Sequence, residues 1–162
     1  VHHQEQSVGR IVITDNQVSG KGTYNKSWYS EPCKDLTFSI ILGSSYNFHQ
    51  QLIDDTCTAI VNVLQKQKIN AHHKKPNDIY VMNKKIAGIL LSNVHSRKEV
   101  IYQALSLGIN INSDLNIRSF DSKAKADHTS FVKELGVEVN REKILVDIIQ
   151  SIDLAIQKQI NL

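Results

Sequence analysis

Two short apolar runs, Ile79-Tyr80-Val81-Met82 and Ile86-Ala87-Gly88-Ile89-Leu90-Leu91, are separated only by Asn83-Lys84-Lys85. So brief a polar break predicts a β-hairpin, and a hairpin makes its two strands antiparallel. A third run, Val100 to Leu105, follows a polar turn over 92–99, after which Gly108-Ile109-Asn110-Ile111-Asn112 leaves the sheet. Upstream, Ile11-Val12-Ile13 reads as a buried strand, and Leu36 to Leu42 as a strand half-buried at first and then fully buried. Strands that come in adjacent groups, with helices between the groups, exclude a regular doubly wound parallel sheet. The expected class is α+β, a mixed or antiparallel sheet packed with helices.

From about Phe48 to Gln67 the period changes. Leu52, Ile53, Cys57, Ile60, Val61 and Leu64 fall on one helical face, opposite Gln51, Asp54, Asp55, Asn62, Gln65 and Lys66. Residues 71–75 form a short edge strand stopped by Pro76. Thr129-Ser130 opens a short helix through Leu135, closed by Gly136. Asn140 is the expected N-cap of a last helix whose stripe runs Ile144, Leu145, Ile148, Ile149, Ile152, Ala155, Ile156. Residues 113–128 are polar and read as a mobile loop. No repeat or linker divides the 162 residues, so one domain is expected over 1–162.

Composition narrows the function classes. A formal charge of +3, with 19 basic residues interleaved among 16 acidic ones, lacks the dense patch of a nucleic-acid binder. No apolar run is long enough for a membrane span, and no signal peptide is evident. Two cysteines, Cys33 and Cys57, suggest no disulfide framework, so a reducing, cytoplasmic setting is expected. His72 and His73 are strand neighbours pointing to opposite faces and do not share a metal easily; His2-His3 reads the same way.

Two segments carry a resemblance. Lys74-Lys75-Pro76-Asn77-Asp78-Ile79-Tyr80-Val81, followed by Lys84-Lys85-Ile86-Ala87-Gly88-Ile89-Leu90, resembles the biotin protein ligase pattern Lys-Trp-Pro-Asn-Asp, a hydrophobic strand, then Lys-(Ile/Leu)-Ala-Gly-Ile-Leu. Gln17-Val18-Ser19-Gly20-Lys21-Gly22, leading to Ser27-Trp28, is similar to that family's Gly-Arg-Gly loop with its upstream Gln and downstream Trp. The stretch 108–112 and the Thr129-Ser130 pair follow in the family's order. The resemblance implies a class II synthetase-like biotin/lipoate ligase catalytic domain. It implies ATP-dependent conversion of biotin to biotinyl-AMP, then transfer to a lysine of a biotin carboxyl-carrier protein of an acyl-CoA carboxylase.

Joining a carboxylate to the α-phosphate of ATP brings two anions together, so positive charge must offset their repulsion. By resemblance, Lys21 is the loop cation and Lys85 the sheet cation. Ser19, Gly20, Gly22 and Thr23 belong to the loop that closes on the adenylate, its glycines letting backbone N–H groups approach. Gln17 is expected on the biotin ring region, Trp28 over the site, and Gly88 beside the ligand. Asn77 and Asp78 are expected at the phosphates or magnesium, and Asn110 at the nucleotide. Magnesium is expected to arrive with ATP and not to be held by the protein alone. No nucleophile of the protein is required.

Several positions depart from the family pattern. Lys21 stands for arginine, Tyr24-Asn25 for Arg-Gly, Lys75 for tryptophan and Ser106 for glycine. The family's Ser-Thr-Asn segment ahead of the first strand is not found: either the sequence is cut at Val1, or this member lacks part of its biotin pocket. Neither a winged-helix segment nor a C-terminal barrel is expected, and a homodimer is left open. Two alternatives stand beside the ligase: an acyl ligase for lipoate or octanoate, and a non-catalytic homologue that binds ligand or carrier.

Overall fold

The computed structural model describes residues 8–23, 26–43, 49–97, 99–115 and 128–160. Tyr24, Asn25, His2, His3 and most of the expected polar loop, 116–127, lie outside the described residues. Six strands form one antiparallel sheet: β1 (Ile11–Thr14), β4 (Leu36–Gly43), β5 (Ala71–Lys74), β6 (Asp78–Val81), β7 (Lys84–Ser96) and β8 (Glu99–Ile109), in the order β1-β4-β8-β7-β6-β5. Two short strands, β2 (Gly20–Lys21) and β3 (Ser27–Trp28), pair as a separate ribbon. The helices are α1 (His49–Lys66), α2 (Phe131–Leu135) and α3 (Arg141–Ile160).

The sheet is amphipathic by alternation. Phe38, Ile40, Ile79, Ile89, Leu105 and Leu107 join Leu52, Ile60, Leu64, Ile144, Ile148 and Ile152 of α1 and α3 in one buried core. The alternate residues of β4, β7 and β8 face away from the helices, and that second face carries the cleft described below. The stripe of α3 is therefore core packing, as its period predicts. Asn140 caps α3, its Oδ1 accepting from Lys143 N at 2.7 Å, and Gly136 ends α2 at φ +74°.

Three expectations change. Ile11-Val12-Ile13 is not buried: β1 is an edge strand, with Val12 61% exposed and Ile13 47%. A β-branched run reports strand propensity, and burial depends on neighbours that lie elsewhere in the chain. In β4 the early residues Leu36, Thr37 and Phe38 are buried and the later ones alternate, the reverse of the expected gradient. The polar stretch 92–96 continues β7, because pairing with β8 down to Ser96↔Glu99 satisfies its backbone whatever its side chains.

Candidate active site

The β7 strand carries the feature that organises the site. Lys85 and Gly88 are three residues apart, which on a regular strand would place them on opposite faces. Register shifts between β6 and β7: Ile79 faces Ala87, and Tyr80 faces Lys85, so Ile86 is an extra residue on β7. A bulge of this kind re-aims the side chains beyond it. Lys85 and Gly88 consequently meet on the cleft face, where a Cβ added to Gly88 would lie 3.0 Å from Lys85 Nζ and 3.4 Å from Asp78 Oδ1. Lys85 belongs to the strand itself and not to the turn, which is Met82-Asn83.

Lys85 Nζ contacts Asp78 Oδ1 at 2.6 Å, with both side chains largely withdrawn from solvent, and stands 5.4 Å from the centre of the Trp28 ring. Trp28 comes from β3 and lies across β8. A Cβ at Gly108 would overlap its indole, so only glycine lets the ring lie this close to the strand. The β2–β3 ribbon thus roofs a floor of Gly88 and Gly108. The cleft between them has a volume of about 350 Å3. It is walled by Gln17, Ser19, Lys21, Gly22 and Thr23 on the loop side and by Asn77, Asp78 and Lys85 at the far end.

Two buried polar atoms of this cleft, Gln17 Oε1 and Trp28 Nε1, make no hydrogen bond. One accepts and the other donates. Leaving such atoms unpaired inside a fold costs about 1–3 kcal/mol each. Outside the cleft, Asp35 fastens the strand ends that frame it: its carboxylate accepts from Ile111 N at 2.8 Å and Glu31 N at 2.9 Å. Burial pushes the Asp35 carboxyl above its ordinary pKa, against the pull of those N–H groups. Arg141 donates to Asp15 Oδ1 at 2.6 Å, tying the root of the Gln17 loop to α3.

Comparison with known proteins gives this geometry a lineage. The model of the biotin/lipoate A/B protein ligase family matches residues 1–112. The chain belongs to that family. It is 28% identical over 144 residues to the bifunctional ligase/repressor BirA of Bacillus subtilis (strain 168), covering 87% of this chain and 44% of that protein. It is 29% identical over 145 residues to the biotin–protein ligase of Homo sapiens, covering 82% of this chain and 20% of that one. Among solved structures, the Aquifex aeolicus biotin protein ligase in complex with biotin and ATP superimposes with a TM-score of 0.79 at 25% identity, over 96% of this chain and 66% of that one. The chain therefore spans less than half the length of the BirA relative and less than two thirds of the Aquifex one.

Within this ligase-family chain, ten of the twelve residues singled out from the sequence line the cleft: Gln17, Ser19, Lys21, Gly22, Thr23, Trp28, Asn77, Asp78, Lys85 and Gly88. Gly20 sits just behind it, buried, where a Cβ would strike Gln17 Oε1 and the Trp28 carbonyl. Asn110 is placed differently: it is buried off the cleft, its amide donating to the Thr129 carbonyl at 2.9 Å. Asn77 lines the cleft but donates its amide to the Ile89 carbonyl at 2.5 Å, locking β6 to β7. Among the described residues, no group of three or more His, Cys, Asp or Glu side chains gathers as a metal site, and no helix is long and apolar enough to cross a membrane.

Cleft residues missed from sequence include Thr14, Thr37 and Ser39. The signal existed for two of them: Thr37 and Ser39 are the polar positions alternating with Leu36, Phe38 and Ile40 on β4.

Proposed function

We propose that this chain carries the acyl-activating site of a biotin–carrier ligase. The observation that supports it most is the Lys85–Asp78 pair on a glycine floor beneath Trp28, beside the Gln17 loop. In this reading a biotin carboxylate oxygen attacks the α-phosphorus of ATP, the bond to the β-phosphate breaks, and pyrophosphate leaves. The amine of a lysine on a biotin carboxyl-carrier protein then attacks the acyl carbon, AMP departs, and the amine gives up a proton.

Lys85 places a cation where two anions must approach, and Asp78 fixes the direction of that ammonium. Lys21, exposed on β2, adds charge from the roof. Trp28 and the β2–β3 ribbon keep water from the mixed anhydride. Magnesium belongs to this reading as a companion of the ATP phosphates beside Asn77 and Asp78; a single carboxylate already paired with Lys85 is too few ligands to hold it alone.

Calorimetric titration with biotin, with and without MgATP, tests the reading. Biotin binding that tightens with MgATP supports it. Binding of octanoate or lipoate in place of biotin moves the chain to the lipoate side of the family. No response to any acid from a folded chain overturns the enzymatic reading.

A further inference from the structure

The cleft face of the sheet is laid out in rows set by strand register. One row runs Thr14, Thr37, Gly108, Gly88, Asp78, and it lies under Trp28 and beside Lys85. Two residues along the strands, about 7 Å away, a second row runs Val12, Ser39, Ser106, Leu90, and all four residues line the same cleft. Ser39 Oγ and Ser106 Oγ are 2.8 Å apart.

Two hydroxyls hold two donor hydrogens, and their mutual bond uses one. The second finds no acceptor among the described residues. A single polar point therefore sits between two apolar side chains, one row beyond the charged end of the cleft.

We propose that the Ser39–Ser106 pair is a specificity-determining element of this site, selecting an acyl substrate whose distal part carries a hydrogen-bonding heteroatom ring over one with a plain hydrocarbon chain. The proposal rests on the acyl-activation reading above. A saturated chain laid across this row buries an O–H with nothing to receive it, whereas a ring with an acceptor atom completes the pair. The discrimination is about tenfold or more in affinity, the range of one unmet buried hydroxyl.

The test uses the full chain with MgATP and compares biotin with octanoate by titration, in wild type, Ser106→Ala, Ser39→Ala and the double variant, with thermal melts to confirm folding. The biotin-to-octanoate affinity ratio should stay about the same in each single variant, whose remaining hydroxyl still carries one unmet O–H, and fall about tenfold in the double variant, which carries none. An unchanged ratio in the folded double variant, with wild type still binding biotin, overturns this inference alone. Wild type that binds neither acid, or prefers octanoate, overturns it together with the ligase reading. If the double variant does not fold, Ser39→Ala combined with Ser106→Gly decides in its place.

Discussion

Gly108→Ala probes the contact that shapes the cleft. The added Cβ would lie 2.6 Å from Trp28 Cζ2 and 2.5 Å from Nε1, against about 3.5–4.0 Å for a comfortable contact. The indole must therefore retreat by about 1 Å, and it is tethered to the two-residue β3 strand. Overpacking of this kind costs about 1–3 kcal/mol, which for a domain of this size lowers Tm by roughly 2–12 °C. Trp28 is the sole tryptophan, so its emission reports the displacement directly. The expected result is a red shift with the lower Tm. In a Trp28→Ala background the same change should cost roughly nothing, because alanine is the better strand residue once the clash is gone. A Gly108→Ala variant with unchanged emission and Tm, or one equally destabilised without Trp28, would refute the placement of the ring on β8.

Burial pushes the Cys57 thiol up to about 12, while Cys33 is exposed. A thiol reagent at about pH 8 should titrate one fast cysteine in the folded chain and the second only on unfolding; two fast thiols contradict the packing of α1. Because burial raises the folded pKa of Asp35 above its ordinary 3.8, the folded state holds that proton more tightly than the unfolded one. Its contribution to stability therefore grows as pH falls toward that range and declines as pH rises. The Tm difference between wild type and Asp35→Asn should move in wild type's favour on acidification from about pH 7 to about pH 4, and a flat or opposite trend overturns the assignment. Asn140→Ala removes the cap to Lys143 N and should cost about 1 kcal/mol by denaturant titration; no loss would mean the cap is not formed in solution.

Local physics was legible in the sequence. The existence of the hairpin after Ile79-Tyr80-Val81, though not its turn at Met82-Asn83, the span of α1, the stop at Gly136, the Asn140 cap and the stripe of α3 all follow from periodicity and end chemistry carried by neighbouring residues. Most of the cleft was legible too, because the glycine-bearing loop and the segment 74–90 are continuous patterns. What was not legible depends on pairing between distant residues. The exposure of β1 is decided by its place at the sheet edge. The bulge at Ile86 leaves no mark in Lys-Lys-Ile-Ala-Gly, yet it alone puts Lys85 beside Gly88. Asn110 looked like a ligand contact, and only the fold shows its amide committed to Thr129. Ser39 and Ser106 meet only once the β4–β8 register exists.

On the proposed activity, Lys85 stands where a carboxylate meets ATP. Biotin-dependent release of pyrophosphate from MgATP in a single turnover tests it most directly, comparing wild type with Lys85→Ala. Release should require biotin in wild type and fall about 100- to 1000-fold in the variant, with Lys85→Ala still folded by its melting curve. Pyrophosphate released equally fast by a folded Lys85→Ala chain would contradict it.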